Sequence, residues 1–262
     1  MATPDGPKTT ANPRRRIVLR GAAASGLALA GCDRLSESKG FVDGVLHRAE
    51  RLSQAAHRLV GRDALAQEFT EADLSPEFRS NGTANPNNAA YQSHLRSGFT
   101  DWSLAFDGLV ESPARFTLAE LRALPARTQI TRHDCVEGWS AIGKWTGVPL
   151  ATLLDRVKPA AAARFVVFHC SDPMQEDGTQ PYYESIDLID ARHPQTILAY
   201  DLNGQPLPVA NGAPIRLRVE RQLGYKHAKY VERIELVASY ARIAGGRGGY
   251  WEDRGYQWYA GL

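Results

Sequence analysis

The 262-residue sequence predicts an α+β fold. Between Trp102 and Val237, short segments with alternating apolar residues lie among short helical segments, which is typical of a mixed sheet rather than a helical bundle. The composition is 43% hydrophobic, 23% charged and 9% aromatic, which excludes a disordered chain, a collagen and a polytopic membrane protein. A chain of this length can bury a sizeable core as one large domain or two small ones.

The first 31 residues have the pattern of an export signal. Basic residues Arg14–Arg16 and Arg20 precede an apolar run of small residues, Gly21–Gly31. The run is about half of the roughly 20 residues that span a bilayer, so we expect no permanent transmembrane helix. Arg15-Arg16-Ile-Val-Leu-Arg20 resembles a twin-arginine signal, with a branched aliphatic residue where Phe is usual. We therefore expect a periplasmic or extracytoplasmic protein.

Leu29-Ala-Gly-Cys32 resembles a lipobox, in which the cysteine is lipidated and becomes the new N-terminus. We expect Cys32 to be a lipid anchor, and cleavage near Gly31 without lipid is the alternative. Residues 1–31 hold five of the 31 Lys and Arg residues and one of the 29 Asp and Glu residues, so the remainder carries 26 bases and 28 acids. The formal charge of the whole chain, +2, is too small for a nucleic-acid-binding surface, and we expect no such partner.

An amphipathic helix is predicted from Gly40 to Arg62, within an N-terminal segment of residues 32–69. Its role is to pack on the body of the protein or to space that body from the membrane. Residues 70–98 are polar and irregular, and we expect a long loop there. The apolar residues at helical spacing are Val42, Val45, Leu46, Ala49, Leu52, Ala56, Leu59 and Val60.

The main domain is predicted over residues 70–240, and an aromatic and Gly-rich tail, 241–262, is expected to wrap its surface. Thr117-Leu-Ala-Glu120 has the form of a capping box and predicts a helix to Leu124. Asn203-Gly204 is a strong hairpin signal. The other predicted elements are a strand with Leu104 and Phe106 before the Asp107-Gly108 turn, strand Gln129–Arg132, helix Pro149–Val157, and strands Arg164–His169, Thr196–Asp201, from Leu207, Ile215–Glu220 and Tyr230–Val237.

The cysteines Cys32, Cys135 and Cys170 contain no C-x-x-C pair, so they form neither a disulfide framework nor a zinc finger. Cys135 lies among basic, acidic and aromatic residues, whereas a structural cysteine usually has apolar neighbours. Its thiol could pair with His133 as the base of a hydrolase. A zinc site recruiting His133, Asp134, Cys135 and His169 is a second interpretation.

A third interpretation is a soft metal held by one thiolate, with the other ligands supplied by a cofactor. Aromatic residues Tyr182, Tyr183 and those from Trp251 to Trp258 could line a substrate mouth or be buried as packing.

A set of motifs in order resembles the sulfite-oxidase-type molybdopterin oxidoreductases. Cys135-Val-Glu-Gly-Trp-Ser, followed by Trp145-Thr-Gly-Val-Pro-Leu150, is similar to the segment that carries the molybdenum ligand in that family. The similarity extends from about Phe78 to Val237. The further motifs are Asp190-Ala-Arg-His-Pro194, Asn203-Gly-Gln-Pro-Leu-Pro208, Asn211-Gly-Ala-Pro-Ile-Arg216 and Leu223-Gly-Tyr-Lys-His-Ala-Lys229.

This resemblance implies a single mixed α/β domain with a molybdenum bound by one pterin and by the thiolate of Cys135. It also implies that Asn211 and Arg216 contact the pterin, and that the segment His227, Ala228 and Lys229 meets its phosphate, where cationic donors are favoured. Asn81 matches an asparagine near the pterin in the family.

Three more residues are assigned to the site. Cys170 and Asp172 follow a predicted strand at a place where relatives contact the cofactor, and a strand-end carboxylate can accept hydrogen bonds from pterin amines. Cys170 is equally well explained as a quiet buried thiol. Glu137, two residues after Cys135, is expected near the metal, where it moves protons or fixes the loop.

The resemblance ends near Val237, so we expect no haem domain and no C-terminal dimerisation domain, and therefore a monomer. No C-x-x-C-H segment is present for covalent haem, so electrons must come from or go to a separate membrane haem protein or cytochrome. The Cys135-Val-Glu-Gly-Trp139 segment is closer to the periplasmic methionine sulfoxide reductase group than to sulfite oxidases.

The expected function is thus reduction of a small-molecule S-oxide or N-oxide by an exported molybdoenzyme. Sulfite dehydrogenase activity, with electrons passed to a cytochrome, is the alternative within the family. A redox lipoprotein that binds the cofactor without turnover is the alternative outside it.

Overall fold

The computed structural model describes residues 38–41, 44–45, 47–174 and 180–262. The predicted export signal and Cys32 lie outside these residues. The chain divides into two compact units, residues 1–53 and 54–262. In the described residues, no helix has the length and apolar composition needed to cross a bilayer.

The elements of the described chain are short helices between short strands. The helices are α1 (Lys39–Phe41), α2 (His47–Gly61), α3 (Ala89–Arg96), α4 (Leu118–Ala123), α5 (Leu150–Val157) and α6 (Leu188–Ala191). The strands are β1 (Ser103–Gly108), β2 (Ala114–Thr117), β3 (Arg127–Asp134), β4 (Ser140–Pro149), β5 (Phe165–Cys170), β6 (Tyr183–Asp187), β7 (Thr196–Leu202), β8 (Gln205–Pro206), β9 (Arg216–Val219) and β10 (Val231–Val237).

The second unit contains one mixed sheet and one antiparallel sheet. One has the strand order β2-β1-β10-β5-β6, in which β1 and β10 are parallel and the other pairs are antiparallel. The other has the order β3-β4-β7-β8, with β9 also paired to β7. The main apolar core includes side chains of β1, β5 and β10 together with those of α5, and a smaller cluster surrounds Trp145. The predicted α+β fold is confirmed.

Local sequence signals explain several of these elements. The Thr117 hydroxyl accepts from the Glu120 amide while the Glu120 carboxylate accepts from the Thr117 amide, which forms the predicted capping box at the start of α4. Asn203 and Gly204 have φ values of 52° and 76°, as a two-residue hairpin turn requires, and Gly204 adopts this conformation without steric cost. The second strand of that hairpin begins at Gln205, so the predicted start at Leu207 is wrong.

The expected long loop at residues 70–98 contains a helix, α3, which the sequence analysis missed. The Asn88 carboxamide oxygen accepts from the amides of Ala90 and Tyr91 and caps the helix. Tyr91 is buried, and its hydroxyl donates to the Ala213 carbonyl oxygen at 2.8 Å. One buried anchor and one cap are therefore enough to order a segment that is otherwise polar.

Helix α2 presents apolar residues to solvent at its C-terminal end, where Leu59 and Val60 are 88% and 89% exposed. Arg58 of the same helix donates to Asp190 at 2.7 Å and to Asp187 at 2.9 Å. The predicted role of the helix, packing on the body or spacing it from the membrane, stays a prediction.

The C-terminal tail is anchored to the body by a few buried residues, while most of its residues are exposed or half-buried. Tyr250, Glu252, Tyr259 and Ala260 are buried. The Leu223 amide donates to the Ala260 carbonyl oxygen at 3.0 Å and attaches the end of the tail to the body.

Candidate functional site

Cys135 lies in the tight turn that joins β3 to β4. Its amide donates to the Trp139 carbonyl oxygen at 2.9 Å, and the Gly138 amide donates to the Cys135 carbonyl oxygen at 3.1 Å. Burial raises the pKa of the Cys135 thiol, while the amides of Val136 and Glu137 and the charge of Arg216 act in the opposite direction. The surroundings thus supply donors that favour a thiolate once a metal replaces its proton.

A cavity of about 160 Å³ lies beside Cys135. It brings together six of the residues that the sequence assigned to the site, from four separate parts of the chain. The lining residues from the predicted set are Asn81, Cys135, Glu137, Asp172, His227 and Lys229. The structure therefore places a thiol, two carboxylates, an imidazole and an ammonium around one small space.

Arg216 and Asn211 lie behind the wall of this cavity. The Arg216 guanidinium is fully buried and donates to the carbonyl oxygens of Asn211 at 3.1 Å and His227 at 3.2 Å. Burial and the neighbouring charge of Arg218 lower the pKa of Arg216 to about 9. The Arg216 Nε and the Asn211 side-chain nitrogen are buried without a partner within the described chain. Two buried nitrogen donors of the described chain therefore have no hydrogen-bond acceptor.

Lys229 is the second buried cation of the site. Its ammonium donates to the carbonyl oxygens of Asn81 at 2.6 Å, Thr83 at 2.5 Å and Ala210 at 3.0 Å. Burial and repulsion by Arg216 lower the pKa of Lys229 to about 7. Its three hydrogen bonds go to neutral oxygens, so a nearby anion would relieve an electrostatic cost that the fold already carries.

His227 contributes an acceptor. Its Nε2 lies 3.0 Å from the Gln222 carbonyl oxygen, so Nε2 carries the proton and Nδ1 is a free acceptor that is buried without a partner in the described residues. Burial and nearby cations hold the pKa of His227 well below its usual range. The imidazole is therefore neutral.

Cys170 and Ala228 do not line the cavity. Cys170 lies on β5 in the main apolar core, where its amide donates to the Tyr182 carbonyl oxygen at 3.1 Å and burial raises the pKa of its thiol well above the usual range. The Ala228 carbonyl oxygen accepts from the Leu217 amide at 2.8 Å. The structure thus favours the quiet buried thiol for Cys170 and gives Ala228 a backbone role.

The hydrolase and zinc interpretations find little support. Arg218 donates to His133 Nδ1 at 3.0 Å, and burial with the surrounding cations holds the pKa of His133 well below its usual range. An imidazolium beside a Cys135 thiolate is therefore disfavoured. Within the described ranges, no three His, Cys, Asp or Glu side chains converge to hold a metal ion.

Four aromatic side chains also line the cavity. We call this set the aromatic wall, and it consists of Tyr182, Tyr225, Trp251 and Tyr256. The rings of Trp251 and Tyr256 stack with centroids 5.3 Å apart, and Tyr225 meets Tyr256 edge to face at 5.2 Å. Tyr182 and the segment from Trp251 were predicted as candidates for a substrate mouth, whereas Tyr225 was not. Its position inside a motif assigned to the cofactor was the only sequence signal.

The cation and donor set fits an anionic pterin cofactor. Among the described residues, no carboxylate is hydrogen-bonded to Arg216 or Lys229, and Arg216, Asn211 and His227 keep donors and an acceptor without a partner. A phosphate would pair with the cations, and a pterin ring offers both donors and acceptors for the rest. The Cys135 sulfur supplies one soft metal ligand close by.

The lowered pKa of Lys229 predicts a pH-dependent stability for the cofactor-free protein. The unfolded chain binds a proton at this side chain up to a pKa near 10.5, whereas the folded chain releases it near 7. Stability should therefore rise with pH in this window, by at most about 1.4 kcal/mol per pH unit. Urea unfolding of wild type and Lys229→Met between about pH 7.5 and 9.5 should show a steeper rise in wild type. Equal slopes would contradict the assignment.

Comparisons with known proteins agree with this geometry. The family model described as "Oxidoreductase molybdopterin binding domain" matches residues 92–242. YedZ1 of Azospira oryzae is 47% identical over 158 residues, covering 60% of this chain and 55% of YedZ1. The protein-methionine-sulfoxide reductase catalytic subunit MsrP of Ralstonia nicotianae is 37% identical over 177 residues, covering 64% of this chain and 53% of MsrP. The chain thus spans about half the length of the curated relatives it matches.

A solved structure shares the fold. The sulfane dehydrogenase SoxCD of Paracoccus pantotrophus superimposes with a TM-score of 0.50 at 19% identity, covering 72% of this chain and 52% of that one. The family model covers more than half of the chain and includes Cys135, Arg216 and Lys229. The chain therefore belongs to the sulfite-oxidase-type family of molybdopterin-binding oxidoreductase domains.

Proposed function

We propose that the chain catalyses two-electron oxygen-atom transfer and reduces an organic S-oxide or N-oxide. The observation that carries the proposal is the shared cavity, in which Cys135 and the aromatic wall meet in a chain of a molybdopterin-binding family. When bound, a molybdenum-pterin group supplies the oxygen-atom transfer and the change of two electrons. Cys135 would hold the metal, and Asn211, Arg216, His227 and Lys229 would hold the pterin and its phosphate.

Glu137 is suited to handling protons. Reduction of an S-oxide consumes two electrons and two protons and yields a thioether and water. The Glu137 carboxylate lines the cavity, and its Oε2 accepts from the Trp139 indole nitrogen at 2.9 Å, which fixes its direction. Its other oxygen remains available to take up or pass on a proton. We therefore assign Glu137 a proton-transfer role in this reaction.

The aromatic wall supports an organic substrate over sulfite. Aromatic rings make favourable contacts with sulfur and methyl groups, and those contacts scale with apolar surface. Sulfite is a small anion with no apolar surface, so it would gain nothing from Trp251 and Tyr256. The curated relative MsrP is named a protein-methionine-sulfoxide reductase catalytic subunit, which is consistent with an S-oxide substrate here.

Export, lipidation of Cys32 and a separate electron donor complete the proposal. The leader pattern supports export, and the word "subunit" in the name of the MsrP relative supports a partner protein. Leu59 and Val60 are exposed and lie fewer than about 30 residues after Cys32, the predicted lipid-bearing cysteine, a position that suits contact with a membrane surface. A membrane haem protein is the proposed donor class, and a soluble cytochrome would instead accompany the sulfite reaction.

Protein purified from its native host should carry about one molybdenum and one pterin per chain. It should turn over an aryl or alkyl S-oxide with a reduced dye as electron donor and leave sulfite unreacted. Trp251→Ala should raise KM for the S-oxide without changing molybdenum content, because Trp251 lines the cavity but carries no metal ligand. Arg122→Ala, on the surface, is the control.

Three outcomes would each contradict a different part of the proposal. Oxidation of sulfite in place of S-oxide reduction would establish the alternative direction. Full cofactor loading without turnover of any of these substrates would establish the redox lipoprotein. Zinc, or no metal, would overturn the cofactor assignment itself.

A further inference from the structure

A buried cluster of one lysine and two glutamates lies outside the set of residues used so far. The Lys226 ammonium donates to Glu184 Oε1 at 2.5 Å and to Glu252 Oε1 at 2.6 Å. The side chains of Lys226, Glu184 and Glu252 are 0%, 0% and 1% exposed. The second oxygen of each carboxyl group has no hydrogen-bond partner within the described chain. One cation is thus shared by two buried acids.

The charges of this cluster do not balance if both acids are ionised. Two carboxylates and one ammonium would leave a net negative charge in an interior that solvent does not reach, which is strongly unfavourable. Burial and nearby carboxyl groups raise the pKa values of Tyr182 and Cys170 well above their usual range, so both are neutral near pH 7. Burial and the nearby Glu252 raise the pKa of Glu184 well above its usual range. A single proton on the pair restores neutrality.

The cluster joins three segments that carry the aromatic wall. Glu184 is in β6, Lys226 is in the 3-10 turn Gly224–Lys226, and Glu252 begins the 3-10 turn Glu252–Arg254. The side chains of the wall are close to these residues in sequence: Tyr182 precedes Glu184, Tyr225 precedes Lys226, and Trp251 and Tyr256 flank the turn of Glu252. Trp251, Glu252 and Tyr256 all follow residue 242, where the match to the family model ends.

The packing around the acids is close. A Cβ atom at Gly249 would overlap the Glu252 carboxyl group and approach Glu184 Oε1 at 2.8 Å, so any larger residue there would displace the two acids. The Lys226 ammonium also lies 5.3 Å from the centre of the Trp258 ring, which gives a further contact with the tail.

We propose that Lys226, Glu184 and Glu252 form a charge-neutral clamp, with one proton held on the two carboxyl groups, that fixes the aromatic wall around the cavity. The three are positioning residues, since none of them lines the cavity. The clamp attaches a tail segment beyond the family match to the body of the domain. Its consequence for turnover rests on the proposed function, whereas its protonation and its structural role do not.

The charge balance gives a sharp mutational test in the cofactor-loaded full chain. Glu184→Gln or Glu252→Gln replaces the neutral acid by a neutral amide and leaves one carboxylate for Lys226, so each should be mild. The double variant leaves Lys226 without an anion, and its folding equilibrium constant should fall by roughly two orders of magnitude or more. Adding Lys226→Met to the double variant should recover much of that loss.

A matched control is available in the same chain. The side chains of Arg218 and Glu220 are both 0% exposed and pair at 2.6 Å, so here one cation meets a single carboxyl group. Glu220→Gln should therefore be as damaging as the double variant, although it changes a single glutamate. Urea unfolding measures the free energy of unfolding of Glu220→Gln and of the double variant. If Glu184→Gln and Glu252→Gln each cost as much as Glu220→Gln, the shared proton is excluded.

Two spectroscopic readouts do not depend on substrate. The infrared spectrum of wild type should contain the carbonyl band of a buried protonated carboxylic acid, and either single variant should remove it. The tryptophan fluorescence of the double variant should change as Trp251 leaves the aromatic wall. A separate kinetic measurement, which does need substrate, should show that KM for S-oxide rises more than kcat falls. Absence of the band overturns the clamp even in an active enzyme. Presence of the band in a protein inactive on S-oxides would contradict only the proposed function.

Discussion

Cys135→Ser should lower S-oxide turnover by roughly three orders of magnitude or more, while the protein still folds. A serine hydroxyl is a hard, weakly acidic ligand and cannot replace a thiolate on a soft metal site. The backbone of the turn makes its own bonds, Cys135 N to Trp139 O and Gly138 N to Cys135 O, so we expect the fold to lose only about 1 kcal/mol. Molybdenum content and turnover, measured together, test this result.

The remaining described cysteine provides the matched comparison. Cys170 is buried in the apolar core and does not line the cavity, so Cys170→Ala should retain its molybdenum. If both variants lose metal equally, the structural separation of the two thiols is wrong. If Cys135→Ser keeps native metal content and turnover, the sulfur of Cys135 is not the ligand.

Arg216→Ala should lower pterin and molybdenum content by at least about tenfold. The guanidinium joins the carbonyl oxygens of Asn211 and His227, and its removal leaves both without that donor in a buried place. The substitution should lower the affinity for the cofactor and loosen the cavity lining at His227. Pterin fluorescence after denaturation measures the pterin content, and elemental analysis measures the molybdenum content.

The loss of cofactor content on substitution of Arg216 should depend on the shape of the new side chain as well as on its charge. Arg216→Lys keeps the positive charge but lacks the planar fork whose two nitrogens bond the two carbonyl oxygens, so it should recover cofactor content only in part. A second consequence concerns Lys229, whose pKa is lowered in part by Arg216. In cofactor-free Arg216→Ala, the rise of stability with pH should therefore begin above its wild-type position. Unchanged cofactor content in Arg216→Ala would remove this residue from the site.

Local patterns allowed much of the fold to be predicted. The capping box at Thr117 and the Asn203-Gly204 turn specify their backbone through bonds within a few residues, and both are confirmed. Helix α3 was missed because its order depends on a distant bond, from the Tyr91 hydroxyl to the Ala213 carbonyl oxygen. Strands β2, β4 and β6 were missed as well. Their residues are set by pairing with other strands, which no local pattern contains.

The candidate site was predicted from the family resemblance, and six of the predicted residues line one cavity although they are far apart in sequence. Cys135 and Glu137 share one turn, and Asn211 and Arg216 share one motif. Lys226 is separated by 42 residues from Glu184 and by 26 from Glu252, so only the folded chain shows that the three charges meet. Cys170 and Asp172 were assigned together because both follow a predicted strand at a place where relatives contact the cofactor, yet Asp172 lines the cavity and Cys170 lies in the core.

The position of the aromatic wall in the sequence determines when its residues are synthesised. Trp251 and Tyr256 leave the ribosome after every other residue that lines the cavity. A nascent chain that has folded both sheets still lacks this side of its cavity. A pterin would therefore enter more easily before the tail docks than after it. Maturation of this protein is accordingly expected to be sequential, with loading first and sealing second.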